Sequence, residues 1–101
     1  MSDKKTKLAL LKPQSMTIYE AMDLQALFLT TLADYKQIEI DLSAVAEIDS
    51  AGLQLMIALK NAAINQKKSL LFSAHSREVI AFLELFNLTR YFGDPVILGA
   101  S

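Results

Sequence analysis

The chain has 101 residues, 52% of them hydrophobic and 21% charged, with a formal net charge of -1, no cysteine and one histidine. Such a chain forms one globular domain with a core that needs no staples. Its charge excludes a strongly basic nucleic-acid binder, and its lack of cysteine excludes a disulfide framework and cysteine metal sites.

No stretch approaches the ~20 apolar residues of a membrane span. Leu8 to Leu11, cut off by Lys12 and Pro13, is too short for a signal-peptide core. A soluble, cytoplasmic protein without membrane insertion is expected. Residues 1–7 read as a flexible polar tail, and the domain as residues 8–101.

Leu8 to Leu11 predicts a strand, ended by Pro13, which has no N–H to give a ladder. Gln14-Ser15 predicts a turn, and Met16 to Tyr19 a short returning strand. From Glu20 the period changes. Ala21, Leu24, Leu27, Phe28, Leu32 and Tyr35 recur at helical spacing and predict an amphipathic helix of about four turns. Ile38, Ile40 and Leu42 alternate with Glu39, Asp41 and Ser43, the pattern of a strand with one buried face. Ser43 to Glu47 predicts a loop with Val45 and Ile48 turned inward.

The central helix is predicted from about Ala51 to Gln66. Leu55, Met56, Leu59, Ala62 and Ala63 form one apolar arc, and Leu53, Ile57 and Ile64 a second. That much apolar surface implies deep burial, with contact to a partner as the lesser alternative. Lys67 and Lys68 bring positive charge to its C-terminal end. Ser69 to Ala74 reads as a strand covered on both faces. Ser76 caps a third helix with Val79, Leu83 and Phe86 inward, and Asn87 stops it in a left-handed conformation. A turn at Thr89 to Phe92 and a last strand at Val96 to Leu98 complete the expectation. The alternation of strands and helices predicts an α/β fold.

The candidate site is the strand-to-helix junction Ile48-Asp49-Ser50-Ala51-Gly52-Leu53. Asp49 and Ser50 are both helix-capping types, and Gly52 suits close approach of backbone. A hydroxyl at a helix start sits by the positive end of the dipole, where free and phosphorylated forms are both accommodated. The plain alternative for Ser50 is an N-cap. Asp41 and Asp49 are candidates for a carboxylate pair, or else a solvated strand residue and a cap. His75 reads as a turn or capping residue, and no nucleophile–base–acid set or phosphate-binding glycine loop is present.

Ile38-Glu39-Ile40-Asp41-Leu42-Ser43, a short loop, and Ile48-Asp49-Ser50-Ala51-Gly52-Leu53 closely resemble the signature of the STAS domain, of the anti-sigma factor antagonist (anti-anti-sigma factor) type. The resemblance runs from Leu8 to Phe92. It differs in a shortened N-terminal part around Lys12-Pro13-Gln14 and in Asn87, where a glycine is usual. It implies a single STAS domain with a mixed four- to five-stranded sheet flanked by three or four helices.

The resemblance also implies a non-enzymatic module without cofactor or metal. Ser50 takes the phosphorylatable position, with Asp41, Asp49, Ala51, Gly52, Leu53 and Ile57 as its surroundings and partner-binding residues. The implied partners are a serine kinase that is itself an anti-sigma factor, binding the unphosphorylated form, and a phosphatase. The chain itself is expected to be a monomer or weak dimer. Two alternatives come with the resemblance. One is the cytosolic STAS subunit that binds the ATPase of a phospholipid-transport ABC system. The other is a nucleotide- or small-ligand-sensing module of a chemotaxis-type signalling cluster, to which Tyr91 to Pro95 is similar.

Overall fold

The computed structural model describes residues 8–88. Eight elements follow in order: β1 (Leu8–Leu11), β2 (Ser15–Met16), α1 (Ile18–Asp34), β3 (Gln37–Asp41), β4 (Glu47–Ile48), α2 (Ser50–Asn65), β5 (Ser69–Ser73) and α3 (Arg77–Leu85). The tail, the turn at Thr89 to Phe92 and the strand at Val96 to Leu98 lie outside the described residues.

The α/β class holds. The five described strands divide between two sheets, β1-β3-β5 and β2-β4. All pairings among them are parallel, with Ile38 opposite both Ala9 and Leu70, and Ile40 opposite Leu11 and Phe72. Parallel neighbours need a crossover, and α1 and α2 supply the two crossovers of the larger sheet. Pro13 explains the split: it ends the ladder of β1, so the chain turns before Ser15 and pairs with β4 instead. Ala46 N–H to the Gln14 carbonyl (3.0 Å) and Asp49 N–H to the Met16 carbonyl (3.3 Å) extend that small sheet at both ends.

The core is built as the alternation of β3 dictates. Ile38, Ile40, Leu42 and Phe72 are buried, and Leu70 packs against them. Opposite them lie Phe28 and Leu32 of α1 and Leu55, Met56, Leu59 and Ala63 of α2. Leu27 departs from the expected stripe and is exposed, because it lies about 100° around the helix from Phe28. Strand β5 departs too. It is an edge of the described sheet rather than a doubly covered strand, and Leu71 faces Glu39 across the pair with β3.

The helix ends explain the connections. α2 closes with Lys67 at φ 58° and Lys68 N–H on the Ala63 carbonyl at 2.8 Å, and α3 closes with Asn87 at φ 58° and Leu88 N–H on the Leu83 carbonyl at 2.9 Å. Both are left-handed C-terminal turns of the Schellman kind. The ammonium of Lys68 serves the neighbouring helix. It donates to the Leu32 and Ala33 carbonyls at 2.6 and 3.2 Å, at the last turn of α1. Ser76 caps α3 through its Oγ, which accepts from Val79 N–H at 3.1 Å. His75 lies in the turn before it.

Candidate functional site: the corner where two helices begin

α1 and α2 both start beside the small sheet. α1 opens with a capping box. Thr17 is the cap, and Glu20 returns its carboxylate to the Thr17 N–H at 2.8 Å. The same oxygen of Glu20 accepts from the hydroxyls of Thr17 (2.7 Å) and Ser15 (3.0 Å). These bonds, those from Thr17 above all, hold the Glu20 carboxyl below its ordinary pKa. The box also corrects the expected strand over Met16 to Tyr19. Only Met16 is strand, and Ile18 already belongs to the helix. The Thr-x-x-Glu spacing of Thr17 and Glu20 was the signal for this start.

α2 is capped by Asp49, not by Ser50. Asp49 Oδ1 accepts from Ala51 N–H at 2.9 Å and from Gly52 N–H at 3.3 Å. Its other oxygen, Oδ2, accepts from Ile18 N–H at 3.0 Å, in the first turn of α1. One carboxylate thus joins both helix starts. These amides, Ile18 first, pull the Asp49 carboxyl below its ordinary pKa against the opposing effect of burial.

Ser50 is the first residue of α2 and is exposed. Because Asp49 does the capping, the Ser50 hydroxyl has no hydrogen-bond partner among the described residues. Gly52 is buried two residues on. A Cβ there would lie 2.1 Å from the Met16 carbonyl oxygen, so only glycine lets α2 sit this close to β2.

The remaining expected residues distribute unequally. Asp41 accepts from Ser43 N–H at 2.8 Å, a local turn that lowers its pKa with help from Lys12. Asp41 and Asp49 therefore serve separate backbone turns. No group of three metal-binding side chains occurs among the described residues. Leu53 was expected on the partner-binding side, but it is only 7% exposed, because the short Gly52 draws that face of α2 into the core. Ile57 is half-buried against the core. Ala51 reaches the surface.

The surface beside Ser50 has residues that sequence reasoning missed. A groove of about 290 Å³ runs between α1 and α2, walled by Met22 and Gln25 on one side and Ala51, Gln54 and Ala58 on the other. In the first turns of α1, Tyr19 is 89%, Met22 82% and Ile18 67% exposed. Their only sequence signal was their position off the inward stripe of Leu24, Phe28 and Leu32.

Residues 13–98 match the family described as Mlab, STAS domain. The chain belongs to this STAS family. No curated protein matches the chain. The STAS match covers every element just described from β2 onward, including the whole corner around Asp49 and Ser50. It supports reading the STAS domain as a module for protein–protein interaction. No described helix is long and apolar enough to cross a membrane.

Proposed function

We propose that this STAS domain is a non-enzymatic switch that holds a protein partner over Ser50 and releases it when Ser50 is phosphorylated. The observation that carries the reading is the exposed Ser50 hydroxyl at the first position of α2, spared from capping by Asp49. A kinase reaches such a hydroxyl without unfolding the helix start. The exposed Tyr19 and Met22 and the groove beside them provide apolar contact area for the partner. Phosphorylation sets a charge of about -1.5 to -2 in that contact. A partner packed there must then bury the charge or meet it with carboxylates, which costs several kcal/mol when unpaired. This is the behaviour of an anti-sigma factor antagonist, whose partner is a serine kinase and anti-sigma factor, and whose reset is a phosphatase.

A second reading uses the same face: a STAS subunit bound to the ATPase of a phospholipid-transport ABC system. The exposure of Ile18, Tyr19 and Met22 favours it, since apolar surface of this kind suits a partner that stays bound. A nucleotide sensor is disfavoured. The helix-start amides a phosphate would use, at Ile18, Ala51 and Gly52, already bond to Asp49.

Affinity capture decides between them, with the parent chain and the chain bearing phosphoserine at position 50 as paired baits. The switch predicts a kinase-type partner recovered by the parent and at least tenfold depleted by the phosphoserine form. An ABC ATPase recovered equally by both overturns the switch and supports the second reading.

A further inference from the structure

The far side of the Asp49-Ser50 junction carries a second surface. β4 and α3 border a shallow, open groove of about 500 Å³. It is lined by the apolar side chains of Ile48, Ala81, Phe82 and Leu85, together with Glu47 and Glu78. Leu85 is 77% exposed. Among the described residues no lysine or arginine lines this groove, and Glu47 and Glu78 make no ion pair.

The groove is a fixed feature of the fold. Val79 and Leu83, fully buried, pin α3 by its core-facing side. Phe82 stacks at a tilt on Phe86 with ring centroids 5.1 Å apart. The left-handed turn at Asn87 then ends the helix sharply. The apolar stripe of α3 is therefore presented rigidly, which lowers the ordering cost of binding.

We propose that this groove docks an amphipathic segment of a protein partner that carries Lys or Arg beside its apolar residues. The apolar side chains cover the apolar lining, and the basic ones meet Glu47 and Glu78. Charge selects this occupant over two others. A second copy related by a twofold axis would bring a second pair of carboxylates into the interface and no cation from the groove lining. An anionic lipid surface would be repelled by them. The surface is distinct from the groove between α1 and α2, and the proposal stands whether or not Ser50 is phosphorylated.

Amide-resolved NMR titration tests it, with a 14-residue helical peptide of Leu and Lys as probe and the same peptide with Glu for Lys as control. The expected result is shifts centred on Ile48, Ala81, Phe82 and Leu85, with the Glu peptide at least tenfold weaker. The double variant Glu47→Lys, Glu78→Lys should weaken the Lys peptide at least tenfold. Leu85→Ala should weaken it several-fold, and both sets of changes lie at exposed positions that leave the fold intact. Ser50→Asp should leave the affinity within twofold. Shifts centred on Met22 and Ala51, equal binding of the two peptides, or indifference to the charge reversal would each overturn the proposal. So would sedimentation showing a dimer that Leu85→Glu dissolves, which would give the groove to a second copy.

Discussion

The carboxylate of Asp49 accepts a hydrogen bond from the backbone N–H of Ile18 at 3.0 Å, across 31 positions of sequence. The other oxygen of that carboxylate caps the helix that Asp49 itself precedes. A single side chain therefore sets where α1 and α2 begin relative to each other, and Ser50 and Tyr19 are each one residue away from its contacts. The acidic residue of the junction is a structural clamp, and this leaves the neighbouring hydroxyl available.

Removing the clamp should cost more than removing an ordinary cap. A lost N-cap costs typically ~1 kcal/mol, and the charge-assisted bond to Ile18 adds to it. Asp49→Ala is expected to lower stability by about 2 kcal/mol in urea unfolding. Asn caps helices nearly as well as Asp but cannot accept equally from both helix starts, so Asp49→Asn should fall between. Hydrogen exchange at the Ile18 amide should quicken in both variants. An Asp49→Ala protein as stable as the parent contradicts the clamp.

The same bonds fix the response to acid. Glu20, Asp41 and Asp49 all have folded-state pKa values below their ordinary ones, through hydrogen bonds from Thr17, Ser43 and Ile18 respectively. A carboxyl with a depressed folded value stabilises the fold above its unfolded pKa. That contribution is lost as pH falls through the folded value. Stability should hold near neutrality and decline from about pH 4 downward. Asp49→Asn should make that decline shallower. Unfolding midpoints measured from pH 6 to pH 2 check this, and an unchanged slope in the variant would contradict it.

Gly52 is kept by space, not by backbone conformation. An added methyl would strike the Met16 carbonyl oxygen and press on Met16 and Ile48 side-chain carbons at 3.0 Å. Backbone yields less readily than a side chain, so Gly52→Ala should cost about 2–3 kcal/mol, the upper part of the overpacking range. Gly52→Val should be worse. Ala51→Ser, at a half-buried position facing the groove, should stay within ~0.5 kcal/mol. Thermal melts of the three variants decide this, and equal midpoints would remove the tight contact from the account.

Much of this was legible because it is local. The alternation of Ile38, Ile40 and Leu42 marked the buried strand, and the arc of Leu55, Met56, Leu59 and Ala63 marked the inward face of α2, whereas of the second arc only Leu53 is buried and Ile64 is 63% exposed. Asn87 announced its left-handed turn. What was hidden depends on distant partners. β2 looked longer because Ile18 and Tyr19 are strand formers by type, yet the Thr17–Glu20 box starts a helix there. Asp49 and Ser50 are equivalent caps in sequence. In the structure Asp49 precedes the helix and caps it through the Ala51 and Gly52 amides, and its second oxygen receives the Ile18 amide from a distant segment. Leu53 looked available because its burial follows from how closely Gly52 lets α2 approach β2. Exposure of Tyr19 and Met22 depends likewise on where α2 packs.

Lys67 offers a gain in stability. It sits at φ 58° after α2, a conformation that is costly for a residue with a Cβ and nearly free for glycine. Its side chain is exposed. The ammonium that serves α1 belongs to Lys68 instead. Lys67→Gly should therefore stabilise by about 0.5–1 kcal/mol, raising Tm by a few degrees. Lys68→Gly should destabilise, because the last carbonyls of α1 lose their donor. Scanning calorimetry on the two variants should show shifts of opposite sign.

Phosphorylation of Ser50 should separate binding from stability. A phosphate at a helix start ordinarily gains roughly 0.3–1 kcal/mol from free amides and the dipole. Here the Ala51 and Gly52 amides are already bonded to Asp49, whose carboxylate lies one residue away. Repulsion between the two anions offsets the dipole's attraction, so Tm should move by no more than a degree or two. Binding has no such compensation, because a partner over Ser50 must desolvate the phosphate. Ser50→Asp should weaken the captured complex by tenfold or more, roughly 1.4 kcal/mol. Ser50→Ala should bind as the parent does and resist switching. It should also keep its stability, since the hydroxyl caps nothing. Calorimetry with the captured partner, run beside thermal melts, gives both readings for each protein. A Ser50→Ala variant that melts well below the parent would return Ser50 to a structural role. A phosphorylated protein that binds with parent affinity would end the switch altogether.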